Sequence, residues 1–228
     1  ALSLFKIMVQ MYKVFVENRP IIICEKNQTY FDCKTLFASN IKSIRDDLFP
    51  LFADQPIKEP IVLLSDDATA DFKRLFADHK LIEAAGGIVR RKKRYLFIKR
   101  FGKWDIPKGK LDKNEDPKLG AIREIEEECG INNPKIECLI CHTYHTYLDT
   151  YKGKNKLVLK KTYWYELNYK GPKDLFPQRE EGITKAKWVK KSKLDKIRKN
   201  TYESILEVID TYFKDNLIDM PEKKEDID

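Results

Sequence analysis

Long apolar runs are missing from this chain: none approaches the roughly 18 residues that a bilayer-spanning helix needs, so no membrane partner is expected. The N-terminal stretch also lacks a long apolar region followed by a small-residue cleavage site, which makes the cytoplasm the default expectation. Residues 1–10, ahead of Met11, receive no functional assignment. Cysteine is sparse and odd in number, five in 228 residues, which argues against a disulfide framework and for reduced thiols. Cys138-Leu139-Ile140-Cys141-His142 has the spacing of a haem-attachment, redox or zinc motif. No export signal accompanies it, and no second Cys/His pair of suitable spacing follows, so all three readings are rejected. That segment reads instead as part of a strand over 134–147, with His142 and His145 as structural histidines. Internal repeats and low-complexity tracts are absent, apart from a charged tail beyond residue 220 that is expected to be disordered.

What is present suffices for real cores: 42% hydrophobic and 11% aromatic residues in a chain long enough for one or two domains. The net charge of +8 is unevenly placed. Residues 1–83 carry 11 Lys and Arg against 12 Asp and Glu, whereas residues 84–228 carry 33 against 24. This shift marks an expected boundary, with a small α/β domain over 1–83, a second domain over 84–216 and a tail over 217–228. The first domain is predicted as strand (12–16), strand (21–24), helix (33–48), strand (61–64) and helix (68–79), with turns at Asn18-Arg19-Pro20 and Gln55-Pro56. It shows no catalytic or metal signature, and packing, dimerisation or help with substrate selection are the roles open to it. Basic clusters at 90–94, 152–161 and 185–199 would focus a positive field on a polyanion. Basic charge alone does not separate a mononucleotide from an RNA end, and no RNA-binding motif is present, so nucleic acid is not an expected partner.

The chemistry concentrates between residues 104 and 131. Leu119, Ile122, Ile125 and Cys129 recur every three or four positions, the period of a one-sided helix. Pro117 suits its first turn and Gly130 its end, which predicts a helix over 117–129. At about 100° per residue, Glu124, Glu127 and Glu128 fall within roughly 100° of arc, away from the apolar stripe. Like charges so placed are unfavourable unless offset, and a hard divalent cation would offset them. Mg2+ or Mn2+, which take carboxylate oxygens together with substrate phosphates, is therefore the expected cofactor. An isolated acidic helix face needs no cation, but here the preceding loop, Trp104-Asp105-Ile106-Pro107-Lys108-Gly109-Lys110-Leu111-Asp112, is built to bend around a metal and a phosphate.

Gly109, Glu115 and the run Arg123-Glu124-Ile125-Glu126-Glu127-Glu128-Cys129-Gly130-Ile131 fill every fixed position of the Nudix signature, G-x5-E-x7-R-E-U-x-E-E-x-G-U. The chain thus resembles a Nudix hydrolase. The likeness extends to Ala84-Ala85-Gly86-Gly87-Ile88-Val89 and Tyr95-Leu96-Phe97-Ile98-Lys99-Arg100 upstream, and to Lys187-Trp188-Val189 and a closing helix over 202–216 downstream. It implies a Nudix α/β/α sandwich with a mixed sheet, and hydrolysis of a nucleoside diphosphate linked to another group by water attack on a pyrophosphate phosphorus. It also implies that Glu124, Glu127, Glu128 and the Gly109 carbonyl hold metal, with Glu115 and Arg123 bracing the loop. Lys108, Lys110 and Arg100 are candidates to bind the phosphoryl oxygens. The general base is a box glutamate or a loop glutamate, Glu181 or Glu180.

The resemblance also bears on substrate. Tyr147 stands 17 positions past Gly130, and no proline occurs between Pro134 and Pro172. That is similar to diadenosine polyphosphate hydrolases rather than ADP-ribose hydrolases, and an aromatic ring there would stack on a base. The expected substrate is a small-molecule nucleoside or dinucleoside polyphosphate. ADP-ribose, nucleotide sugars and diphosphoinositol polyphosphates are the alternatives, the last suited by Lys154, Lys156, Lys160 and Lys161. A nucleotide-sensing module would tolerate losses among Arg123, Glu124, Glu127 and Glu128, and none is lost. A homodimer is implied by the family alone.

Overall fold

The computed structural model describes residues 11–16, 18–26, 33–48, 60–150 and 155–218, with side chains described as far as Lys214. The expected turn at Gln55-Pro56 and the charged tail beyond residue 220 lie outside the described residues, as do Lys152 and Lys154. Two compact units make up the chain: 1–82 with 143–161, and 83–142 with 162–228. The segment 143–161, which the sequence reading assigned with the second domain, thus clusters with the first unit, because residue 144 of a long strand pairs back to residue 14.

In the first unit, strand β1 (Met11–Val16) pairs antiparallel with β2 (Arg19–Glu25). The apolar run Ile21-Ile22-Ile23-Cys24 buries both faces of β2, as expected of an interior strand. Two further strands, β3 (Lys34–Phe37) and β4 (Ile61–Ser65), continue the sheet in parallel, in the order β1-β2-β4-β3. Ile21, Ile23, Ile61 and Leu63 face one core with helix α1 (Ala68–Leu75), while Ile22, Cys24 and Val62 face the other side. Asp67 caps α1 by accepting from the Ala70 N–H, and the Tyr12 and Phe72 rings stack at 4.3 Å. The helix ends at Leu75, short of the expected residue 79.

Residues 33–48 correct the predicted helix. Leu36, Ile41, Ile44 and Leu48 recur at near-helical spacing, yet the backbone forms β3, a 3-10 turn at Ala38–Asn40 and a π turn at Ile44–Leu48. Short polar side chains compete here with helical bonding. The Asp47 carboxylate accepts the Lys42 and Ser43 N–H groups at 2.7 and 2.9 Å, the Ser43 hydroxyl accepts from Asp46, and β4 supplies ladder partners for 34–37.

The second unit is an α/β/α sandwich. Its strands are β5 (Lys80–Arg91), β6 (Arg94–Arg100), the short β7 (Lys103–Asp105) and β8 (Lys108–Lys110), β9 (Lys135–Asp149) as far as residue 142, β10 (Lys156–Asn168) from residue 162, and β11 (Ile183–Lys190), in the order β11-β6-β5-β10-β9. β7 pairs with β6 and β8 with β5. Helix α2 (Pro117–Cys129) covers one face. On the other face lie α3 (Leu194–Arg198) and α4 (Glu203–Ile218), the closing helix expected over 202–216. Strand alternation divides the core between them: Leu96 and Ile98 of β6 pack with Ala121, Ile125 and Cys129, while Phe97 packs with Val208, Ile209 and Tyr212. Among the described residues, no helix is long and apolar enough to cross a membrane.

Candidate active site

Helix α2 begins and ends where its caps dictate. The Asp116 carboxylate accepts from the Lys118 and Leu119 N–H groups, and Pro117 occupies the first turn. Gly130 closes the helix at φ +65°, the left-handed conformation that favours glycine, and donates to the Glu126 carbonyl. The buried stripe runs through Ala121, Ile125 and Cys129. Leu119, expected in it, is 63% exposed, since it lies about 200° from Ala121 around the axis.

The three carboxylates do not share one exposure. Relative to Ile125, Glu128 is displaced by about 60°, Glu124 by about 100° and Glu127 by about 160°. Their side-chain exposures follow that order: 3%, 15% and 50%. Glu128 is thus driven under the loop. Its carboxylate accepts the Lys108 N–H at 2.9 Å and lies 3.7 Å from an Arg100 guanidinium nitrogen, and burial pushes its carboxyl up to about 7. Burial also raises the Glu124 carboxyl, although Arg123 opposes the shift.

Arg123 organises the rest. Its guanidinium grips Glu115 in a two-pronged pair at 2.8 Å on each oxygen, reaches Glu124 at 2.9 Å and Glu127 at 3.2 Å, and donates to the Lys110 carbonyl. Glu115 in turn accepts the Asp112 N–H. The loop is thereby stapled to the helix, and Arg123 holds the Glu115 carboxyl down at about 2. Gly109 lies directly against Glu124: a Cβ built there would collide with that carboxylate.

Other expected residues are distributed less uniformly. Arg100 bridges Glu128 and Glu181, donating to the latter at 2.8 Å, so these three come together. Lys110 is exposed, with its carbonyl committed to Arg123. The Lys108 ammonium is occupied by Asp105 at 2.6 Å, and its backbone N–H is the group that reaches Glu128. Tyr147 sits in the first unit, half-buried, with its ring tilted against His145 at 5.6 Å. His142 packs edge-on against Tyr163. Glu180 is exposed.

Sequence reasoning missed Asp105. It is buried, accepts the Ile106 N–H at 2.7 Å and anchors Lys108 beside Glu128. An acid set between Trp104 and Ile106 was the only local sign. Phe101 was missed as well: it is 74% exposed at φ +48°, with the Arg100 guanidinium 5.3 Å from its ring centre. Nothing in its sequence context announces that conformation.

Among the described residues, no three acidic, His or Cys side chains already converge as a closed metal cluster. The donor set nevertheless fits a hard divalent ion. All its atoms are oxygens, the Glu124 carboxylate lies against Gly109, where there is no Cβ to exclude it, and Glu127 stands open to solvent.

The NUDIX domain model matches residues 80–209, and the chain belongs to the Nudix family. It is accordingly an enzyme of the Nudix hydrolase class, acting on phosphoric anhydride bonds. Over 116 residues it is 33% identical to an RNA pyrophosphohydrolase of Zymomonas mobilis, a match covering 45% of this chain and 74% of that relative. Over 62 residues it is 36% identical to an 8-oxo-dGTP diphosphatase of Proteus vulgaris, covering 24% and 55%. Among solved structures, a Caenorhabditis elegans Ap4A hydrolase binary complex is 25% identical at a TM-score of 0.43, covering 59% of this chain and 98% of that one.

Proposed function

We propose that this chain is a magnesium-dependent pyrophosphohydrolase whose substrate is a nucleoside or dinucleoside polyphosphate, cleaved at a pyrophosphate bond. The observation that carries this reading is the Arg123 network, which holds Glu124 against Gly109 and also reaches Glu127, while the Glu128 carboxylate accepts the adjoining Lys108 N–H. Glu124, Glu127, Glu128 and the Gly109 carbonyl hold the cation, with Mn2+ able to replace Mg2+. A bound cation supplies charge neutralisation on the polyphosphate and a water of lowered pKa.

The chain's own groups do the rest. Arg123 holds Glu124 and Glu127 beside the loop before substrate arrives, which limits the reorganisation that binding requires. Arg100, held between Glu128 and Glu181, presents positive charge toward the phosphoryl oxygens, and Lys110 adds a second cation at the rim. Glu127 is the box carboxylate open enough to take a proton from an attacking water. Glu181 is the loop alternative, held in place by Arg100. A 5′-polyphosphorylated RNA end is the second reading, supported by the similarity to the RNA pyrophosphohydrolase of Zymomonas mobilis.

The test is a turnover screen with and without Mg2+ over diadenosine polyphosphates, nucleoside triphosphates, ADP-ribose, nucleotide sugars, a diphosphoinositol phosphate and a 5′-triphosphorylated RNA. Metal-dependent cleavage of the first two classes, abolished in Glu127→Gln, is the expected result. Binding across the panel without turnover would sink the hydrolytic reading in favour of a nucleotide sensor.

A further inference from the structure

Two basic clusters separated by some ninety residues in sequence meet on the second unit, away from the carboxylates. In the ladder, Arg91 of β5 stands opposite Arg94 of β6, and Arg94 stands opposite Lys190 of β11. Residues directly opposite project to the same face, so three cations form a row across three strands, each step about 4.8 Å. Lys92 and Lys93, both exposed, continue it through the hairpin turn. A cleft of about 690 Å³ on one side adds Lys173 and Lys187, and one of about 620 Å³ on the other adds Lys191.

Like charges directly opposite each other in a sheet are destabilising. Nothing in the described residues neutralises these: Lys92, Lys93, Arg94, Lys187 and Lys190 make no ion pair with a carboxylate, and Arg91 donates to the Gly171 carbonyl. Asp174 is the one acid lining the larger cleft. The fold thus keeps a self-repelling row that a polyanion would relieve.

The row also lies apart from the hydrolytic site. Arg94 and Arg100 occupy opposite ends of β6, about 20 Å apart for six residues of strand. A mononucleotide held at Arg100 does not reach Arg94, whereas a chain of phosphates matches a series of cations extended over several residues. A membrane surface fits less well, because none of the large hydrophobic residues exposed among the described residues belongs to this stretch to anchor it.

We propose that this row docks the phosphodiester backbone of a single-stranded nucleic acid. Binding is electrostatic, through the phosphates, since among the described residues no exposed aromatic side chain accompanies the cations to stack on bases.

The experiment is fluorescence anisotropy of the full chain with a labelled RNA of about 20 nucleotides bearing a 5′-hydroxyl, at about 50 mM salt and above, without divalent metal. That RNA has no anhydride, so the result stands or falls separately from the hydrolytic reading. Three phosphate contacts predict a slope of log affinity on log salt of about −2, at roughly −0.7 per contact. Arg94→Glu with Lys190→Glu, which removes two of the three contacts, is expected to weaken binding at least ~10-fold and to flatten the slope by about 1.4. Lys73→Glu with Lys80→Glu, which changes net charge equally in the first unit, is expected to leave both near the wild-type values. Circular dichroism reports whether the variants fold, and Lys187→Gln with Lys190→Gln carries the same expectation of weakened binding if the charge reversal does not fold. Absence of RNA binding, an equal loss in both charge-reversed pairs, or tighter binding to phosphatidylserine vesicles or polyglutamate than to RNA overturns the proposal.

Discussion

At the scale of single residues, Gly109 and Glu115 make the most direct claims. A methyl group at position 109 would occupy the place of the Glu124 carboxylate, so Gly109→Ala must displace a proposed ligand without touching the core. Since a misplacement of about 1 Å can cost ~10²-fold in rate, turnover should fall by at least that factor while thermal unfolding stays near wild type. Glu115 supplies a pH signature. Its folded pKa of about 2 lies below its ordinary 4.5 because of the Arg123 pair, so its contribution to stability is complete above about pH 4.5 and is lost as pH falls toward 2. Unfolding free energies of wild type and Glu115→Gln should therefore differ at neutral pH and converge in acid. A constant difference across that window would place the effect elsewhere than in this ion pair. Glu115 and Arg123 were legible through the resemblance of their spacing to the Nudix signature, and their pairing needs only one loop and one helix. The Asp105–Lys108 pair was not, since its meaning depends on burial that only the folded loop creates.

At the scale of elements, α2 was readable to its ends. Pro117 and Gly130 are local signals, and the helix between them obeys them. Asp116→Ala removes the side chain that accepts two orphan N–H groups and should cost about 1 kcal/mol in denaturant unfolding. The segment 33–48 shows the opposite case. Its apolar spacing suits a helix, but Ser43 and Asp47 bond locally to the backbone and β4 offers a partner strand, so pairing overrode periodicity. The graded exposure of Glu124, Glu127 and Glu128 lies between these two. The helical wheel put them on one arc and graded them by angle from the core-facing Ile125, while the fold supplied the loop that covers Glu128.

At the scale of the whole molecule, the chain divides its apolar surface among separate cores, and the first unit's core is as fully buried as those around the site. Leu63→Ala, at a position with no exposure, should cost about 2–5 kcal/mol, read by chemical denaturation. The hydrolase signature, the box helix, the caps and the basic excess of the second part are all properties of residues near one another in sequence, and sequence by itself determined them. Tertiary structure alone decided that 143–161 belongs with the first unit, that Arg100 joins Glu128 to Glu181, and that Arg91, Arg94 and Lys190 stand in register. The physical reason is common to all three. Each depends on a contact between segments far apart in the chain, Tyr144 with Val14, Arg100 with Glu128 and Glu181, and Arg94 with Lys190, where placement is set by long-range packing and carries no local signal.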